Sequence, residues 1–386
     1  MLTSTTLRST SVATHTEVPD APRPALTPEG EHVEPPSRSE RSEPAQSTTT
    51  VAPPRGRGPA MADVARVAGV SAQTVSRVLS GHPNVNETTR NRVRAAVEQT
   101  GYRRNSLARA LVTGRSKTIG VITHETDFYS GSAMMLGMQR AARDGGYFVS
   151  TASTASLSPA SIAQAVERLL DQGVDGLVIA VPVRDDESLG DLIHGTPTVV
   201  VDGMQSSATE VVAVDQVAAG RAATEHLLEL GHETVWHLAG PASWNDANGR
   251  TAGWRAALED ARCTEPPVLY GDWSPESGYR NGLVLGRLPE VTAVFVASDE
   301  MAFGLIRGLT ERGRRVPEDV SVVGMDDIAL AAYCAPPLTT VRQPFHLTGR
   351  LAVEHVIALI ADPTTVHEPE VVLPELAVRL STAPPR

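Results

Sequence analysis

From Lys117 to Asp327, short β-rich apolar runs alternate with segments of helical length, and few folds accommodate that order. TIGVIT, GYFVSTA, VDGLVIAV, TPTVVVD and VVAVD read as strands, with helices expected over Gly131 to Asp144, Ser158 to Gln172 and Gln216 to Leu230. A second series follows: ETVWHLAG, a helix through TAGWRAALEDA, VLYGDW, a helix over Glu276 to Arg287, VTAVFVASD, a helix over Met301 to Arg312, and DVSVVGMDD. Repeated βα units of this kind predict parallel sheets clad by helices on both faces. Two successive blocks of similar size predict two Rossmann-like lobes with a cleft between them. Sheets of this type take ligands beyond the carboxyl ends of their strands.

Several polar or aromatic residues stand just past those predicted ends. They are Asp202 after TVVV, Trp273 after VLYGD, Ser298-Asp299 after VFVA and Asp326 after SVVGM, with Arg250 in the segment leading into AGW. An aromatic face combined with planar charged groups that bond pairs of hydroxyls is the general make-up of a carbohydrate site. The competing assignment for each is structural, with Trp273 in a core or Asp326–Asp327 capping a helix.

Upstream, apolar residues fall at helical spacing from Met61. Val64, Ala65, Val67 and Ala68 define a short helix that stops at Gly69. Ser71 is placed to cap a second helix from Ala72 to Leu79, and Asn86 to cap a third from Glu87 to about Thr100, which Gly101 closes. Two short helices joined by a glycine turn and braced by a third form the helix-turn-helix plan. In that plan the second helix reads DNA from its N-terminal end. Gln73 there can pair with adenine, Arg77 with guanine, and Ala72 can pack on a thymine methyl group, while Val75, Val78 and Leu79 face the core.

Charge distribution supports this. The chain carries a net charge of -11, yet the stretch from Ala60 to Arg115 holds nine arginines against three acids. A basic module on an acidic body is expected where only one part meets phosphates. No apolar run is long enough to cross a membrane, and the N-terminus has no secretory apolar core, which together predict a cytoplasmic protein. Residues 1–59, rich in Ser, Thr, Pro, Glu and Arg, are expected to be disordered, unless translation starts near Met61. Cys263 and Cys334 are expected to be separate reduced thiols. His232, Glu233 and His237 have the wrong spacing for a zinc motif, and no nucleophile elbow, P-loop or dinucleotide fingerprint occurs. The chain is therefore expected to be no enzyme and to need no cofactor or metal.

The segments DVARVAGVSAQTVSRVLSG, VNETTRNRVRAAVEQTGY, NSLARAL and KTIGVI resemble the LacI/GalR family of bacterial transcription regulators, and the resemblance runs from about residue 60 to 383. It implies a helix-turn-helix headpiece over 60–104, a hinge helix and linker over 105–116, and a two-lobed effector-binding and dimerisation domain over 117–386. It further implies DNA contacts at Ala72, Gln73, Thr74 and Arg77 and, in the hinge, at Asn105, Ala108 and Leu111, the last wedging into the minor groove. Two positions depart from the family pattern. Ala60 replaces a capping Thr, and Arg104, beside Arg103, replaces a Pro.

GRTAGW, GDWS, ASDEMA, VVGMDD and PPLTTVRQPF resemble the lactose-repressor type within that family. By that resemblance Arg250, Trp273, Ser298, Asp326 and Phe345 line an effector pocket with Asp202 at its edge, and the effector is a sugar or glycoside. Ser298 and Ala180 both stand where the lactose type has Asn, so lactose itself is not implied. The function implied is a homodimeric repressor on a pseudo-palindromic operator, released by the effector. Two alternatives stay open: the same DNA-binding role with a purine or partner protein as corepressor, and a sugar-binding receptor or enzyme with an appended DNA module.

Overall fold

A computed structural model describes residues 59–103, 110, 113–125, 128–181, 192–193, 195–201, 210–365 and 368–386. Two compact units divide between Tyr102 and Arg103.

The first unit holds α1 (Met61–Ala68), α2 (Ala72–Leu79) and α3 (Glu87–Thr100). Ala60 supplies no capping side chain to α1, but its N–H donates to the Asp63 carboxylate at 3.0 Å. The half of a capping box that depends on the third helical residue therefore survives the loss of the hydroxyl half. Gly69 ends α1 at φ 61°, and the Val70 N–H reaches back to the Ala65 carbonyl at 3.0 Å. Arg92 of α3 then donates to the carbonyls of Ala68 (2.7 and 3.2 Å) and Gly69 (3.1 Å). Those bonds tie α3 to the α1–α2 turn and so fix the angle at which α2 is presented. Ser71 caps α2 by accepting the Thr74 N–H at 3.1 Å, and Asn86 caps α3 by accepting the Thr89 N–H at 2.7 Å. Val75 and Val78 of α2 close a small core with Val64, Ala65, Ala68, Val93 and Ala96.

The second unit contains two six-stranded sheets. Sheet A is built from β1 (Thr118–His124), β2 (Phe148–Thr154), β3 (Gly176–Ala180), β4 (Thr198–Val201), β5 (Glu210–Val214) and β11 (Glu370–Val372), in the order β11-β5-β4-β3-β1-β2, all parallel. Sheet B is built from β6 (Trp236–Ala239), β7 (Leu269–Tyr270), β8 (Ala293–Val296), β9 (Ser321–Asp326), β10 (Thr339–Arg342) and β12 (Glu375–Ala377), in the order β12-β10-β9-β8-β6-β7. Only β12 runs antiparallel to its neighbour. The central strands are apolar on both faces, as parallel strands between helical layers require; all of Thr198–Val201 and Ala293–Val296 is buried.

On sheet A, α4 (Tyr129–Asp144) and α10 (Phe345–Ala361) cover one face through Met138, Ala141, Val353 and Val356, and α5 (Pro159–Asp171) covers the other through Ile162, Val166 and Leu169. On sheet B, α6 (Gln216–Glu229) and α7 (Asn245–Asp260) pack one face through Ala223, Leu227, Trp254 and Leu258. α8 (Pro275–Leu285) and α9 (Asp299–Glu311) pack the other. The last two approach closely: a Cβ on Gly304 would strike the Pro275 carbonyl, and one on Gly278 the Met301 carbonyl.

These layers show that the chain changes lobe three times, between β5 and α6, between β10 and α10, and between β11 and β12. The sequence expectation placed the Gln216 helix at the end of the first series. The structure moves it to the second lobe, because its apolar face (Ala219, Ala223, Leu227) meets Phe295, Val323 and Met325 of sheet B. The C-terminal strap is tied to the second lobe: Ser381 Oγ donates to the Val322 carbonyl at 2.6 Å, and Arg379 donates to the Leu338 carbonyl at 2.7 Å and pairs with Asp327 at 2.5 Å. Cys263 and Cys334 are free thiols.

Candidate functional site

The exposed face of α2 is polar and uncluttered. Ala72, Gln73, Ser76 and Arg77 are exposed, while Thr74 is half-buried with its hydroxyl 2.9 Å from Ser71 Oγ. Spacing of i, i+1, i+4 and i+5 puts Ala72, Gln73, Ser76 and Arg77 on one side of a two-turn helix. Sequence reading passed over Ser76 because serine carries no base-specific pairing of its own, yet helical spacing alone would have found it. Asn105, Ala108 and Leu111 lie outside the described residues.

In the second unit, the carboxyl ends of the strands bring polar side chains together between the lobes. Arg250 is the hub. Buried on α7, it donates Nε to Gln216 Oε1 at 2.8 Å and Nη1 to the Ala297 carbonyl at 2.5 Å, while Nη2 lies 4.0 Å from both Asp246 and Asp326. Its guanidinium also sits 5.6 Å above the Trp273 ring. Burial pushes the Asp326 carboxyl well above the usual range, opposed by Arg250 and reinforced by Asp299, Glu300 and Asp246. Asp246 is raised for the same leading reason, with Arg250 opposing.

The backbone is bent into rare conformations here. Trp273 has φ 73°, Asp326 φ 113° and Asp327 φ 54°. A bulky residue in that region is held there by its surroundings, and such outliers gather at ligand sites. Gly240, just past β6, makes room for the indole, since a Cβ there would lie on the Trp273 ring. The Trp273 Nε1 is buried and has no hydrogen-bond partner among the described residues. A buried donor left unmade costs about 1–3 kcal/mol, so this indole is set to gain from any acceptor placed beside it.

Aromatic groups from both lobes meet at the same place. Trp244 stands edge-on to Trp273 at 5.7 Å and to His124, at the end of β1, at 5.7 Å. Phe345 packs edge-on to Tyr129 at 6.2 Å. Beside them lies a cavity of about 90 Å³, lined by His124, Met134, Ala180, Trp244, Asp246 and Phe345 among others. Of the residues expected at the site, Phe345 lines this cavity, whereas Arg250, Trp273 and Asp326 form its polar neighbour, linked through Asp246 and Trp244. Ser298 is brought nearby but caps α9, accepting the Met301 N–H at 3.2 Å. Asp202 lies outside the described residues. Trp244, Asp246 and His124 were not singled out from sequence, because the first two stand at the N-terminal end of a helix, as its cap and in its first turn, instead of directly after a strand.

Two neighbouring carboxyls have structural partners. Asp299 is fully buried, accepting Thr340 Oγ1 at 2.6 Å and the Ile328 N–H at 2.9 Å, and desolvation pushes its carboxyl up to about 7. A carboxyl raised in this way contributes stability below its unfolded pKa and loses it as pH rises through the folded value. Wild-type stability relative to Asp299→Asn should therefore fall by up to roughly 1.4 kcal/mol per pH unit between about pH 4 and about pH 7. Thermal unfolding of both proteins at about pH 5 and about pH 7.5 checks this, and a constant difference would contradict it. Glu300, also on α9, accepts the Tyr129 N–H of α4 at 3.3 Å and so bridges the lobes. His237 is stacked on Phe295 at 4.6 Å in the core of the second lobe, and burial pulls its imidazole down to about 3. It is a neutral core histidine.

Residues 60–105 match the family model described as bacterial regulatory proteins, lacI family, and residues 224–382 match a periplasmic binding protein-like domain. The HTH-type transcriptional regulator CelR of Thermobifida fusca is 36% identical over 326 residues, 81% of this chain and 94% of that protein. The chain belongs to the LacI family. Among solved structures, the Lac repressor dimer bound to operator and the anti-inducer ONPF matches with a TM-score of 0.79 at 32% identity, covering 85% of this chain and 100% of that one. The CelR–cellobiose complex matches with a TM-score of 0.63 at 33% identity, covering 84% and 99%. These likenesses agree with the architecture expected from sequence: a three-helix headpiece followed by a two-lobed α/β core of the LacI family. Among the described residues no helix is long and apolar enough to cross a membrane, and no group of three or more His, Cys, Asp or Glu side chains is arranged to hold a metal ion.

Proposed function

We propose that this chain is a cytoplasmic transcriptional repressor whose hold on operator DNA is relieved by a sugar or glycoside bound between the two lobes. The observation that carries this reading is the buried Trp273 Nε1, without a partner among the described residues, beside the Arg250–Asp326 pair at the carboxyl ends of the strands. A sugar hydroxyl accepts from the indole N–H while donating to a carboxylate, and its ring carbons lie against aromatic faces. The relatives point the same way: CelR is seen with cellobiose and the Lac repressor dimer on its operator. In this reading residues 60–104 form the headpiece, 105–116 the hinge, and 117–386 the effector and dimerisation domain, which binds its ligand without chemical turnover.

Specificity would come from Ala72, Gln73, Thr74 and Arg77, and hinge contacts from Asn105, Ala108 and Leu111. A homodimer presents two headpieces, so its target is pseudo-palindromic. Binding energy that favours one lobe orientation over another is transmitted through the three lobe crossovers, and it cannot exceed the effector's differential affinity for the two states.

Arg77→Ala should weaken operator binding by about 1–3 kcal/mol and relax discrimination at one base pair per half-site. Titration of fluorescent operator and scrambled DNA measures both. An unchanged ratio between the two sequences would remove Arg77 from base reading.

A further inference from the structure

Among the described residues, the crevice between the lobes contains one buried guanidinium, Arg250, and it is committed. Arg250 spends Nε on Gln216 and Nη1 on the Ala297 carbonyl, and turns Nη2 toward Asp246 and Asp326 at equal distance. Asp246 and Asp326 flank it, and Asp299 and Glu300 add their negative charge around Asp326. Among the described residues that line the adjoining cavity, none is Lys or Arg. One ring nitrogen of His124 is engaged as well, with Nδ1 2.8 Å from the Thr154 carbonyl.

Among the described residues, an anion entering this place meets no uncommitted guanidinium or ammonium group. It would lie against carboxyls already crowded by one another, with a neutral indole N–H as the donor on offer. Phosphate and carboxylate sites are built the opposite way, from Arg forks, free lysines or helix N-termini aimed at the ligand. On the α9 side the helix N-terminus is already filled, since Ser298 caps it and Asp299 and Glu300 occupy its first turn. The α4 N-terminus, which has no side-chain cap of its own, receives Glu300 from the other lobe.

We infer that the effector site selects uncharged glycosides and excludes their phosphorylated and uronate forms, with Asp246 and Asp326, which hold Arg250 between them, as the selecting groups. This deepens the sugar-responsive reading and rests on it. The apolar side of the cavity, with Met134 and Phe345, takes the far end of such a ligand: a second pyranose lying flat on Trp244, or an apolar aglycone. Asp246 is the specificity determinant of the pair, because it faces both the cavity and the guanidinium.

The test uses the full chain and matched sugars: glucose, galactose, maltose, lactose and cellobiose, each with its 6-phosphate and 6-uronate, plus hypoxanthine and guanine. Calorimetric Kd values should place the best-binding neutral sugar on the order of 100-fold below both of its charged partners, since a like charge within about 6 Å at an effective dielectric near 20 has about that effect. Asp246→Asn, checked for a wild-type melting temperature, should narrow the gap by about tenfold. A charged form that binds as tightly as its neutral parent overturns the charge selection and leaves the sugar reading standing. An undiminished gap in Asp246→Asn likewise overturns the assignment of that selection to this pair. Binding of a nucleobase with no response to any sugar overturns the sugar reading itself.

Discussion

Replacing Arg250 with alanine should destabilise the second unit by about 3–5 kcal/mol, the usual cost of deleting one partner from a buried charge pair. The size follows from what the guanidinium holds together. It joins Gln216 of α6 to the end of β8 at Ala297, and it is the cation nearest Asp326, whose side chain is 10% exposed. Without it, the Ala297 carbonyl loses a donor and two carboxyls lose their countercharge. Both carboxyls are then driven further toward protonation. Arg250→Lys should recover only part of the loss, because an ammonium cannot bond Gln216 and Ala297 in one plane while facing two carboxylates. Because Arg250 lies in the second unit, sequence-independent DNA binding by the headpiece should persist. Urea unfolding of wild type, Arg250→Ala and Arg250→Lys gives the three stabilities. Equal values for wild type and Arg250→Ala would show that the hub carries no load.

Asp326→Asn should cost about 1.5–3 kcal/mol of effector affinity, the range for a hydrogen bond to a charged group. Operator binding in the absence of effector should be unchanged. Asparagine is chosen because it keeps the volume and is among the residues that best tolerate a positive φ, which Asp326 adopts at 113°. Fold is thereby separated from function more cleanly than by alanine. The expected phenotype is a repressor that stays on DNA at effector concentrations about 10-fold or more above those that release wild type. A normal release curve would move the ligand away from the end of β9.

The headpiece was the most legible part of the sequence because its boundaries are set by local chemistry. Ser71 and Asn86 cap, Gly69 and Gly101 stop, and each does so through bonds within five residues. The alternation of strands and helices was legible for the same reason. Lobe membership was not. Whether Gln216–Glu229 and Phe345–Ala361 belong to one lobe or the other depends on packing between distant segments, and β11 joins sheet A by pairing Glu370 with Val212. No local period encodes such a partner.

In the cleft, the positions just past strand ends include Trp273 and Asp326, which the structure brings together beside Arg250, but that rule cannot tell Ser298 the cap from Ser298 the ligand group. It overlooked Trp244 and Asp246, which reach the site from the first turn of α7. The orphaned indole N–H was beyond any sequence reading, since it is a property of what surrounds Trp273 and not of tryptophan.

Titrating the full chain on DNA from upstream of its own gene, with the tightest-binding sugar of the calorimetric panel held at saturation, addresses the coupling itself. Fluorescence anisotropy should show operator affinity falling at least tenfold with the sugar present and returning on its removal, while affinity for scrambled DNA stays the same. A sugar that demonstrably binds the wild-type chain yet leaves operator affinity untouched would contradict the coupling of cleft to headpiece.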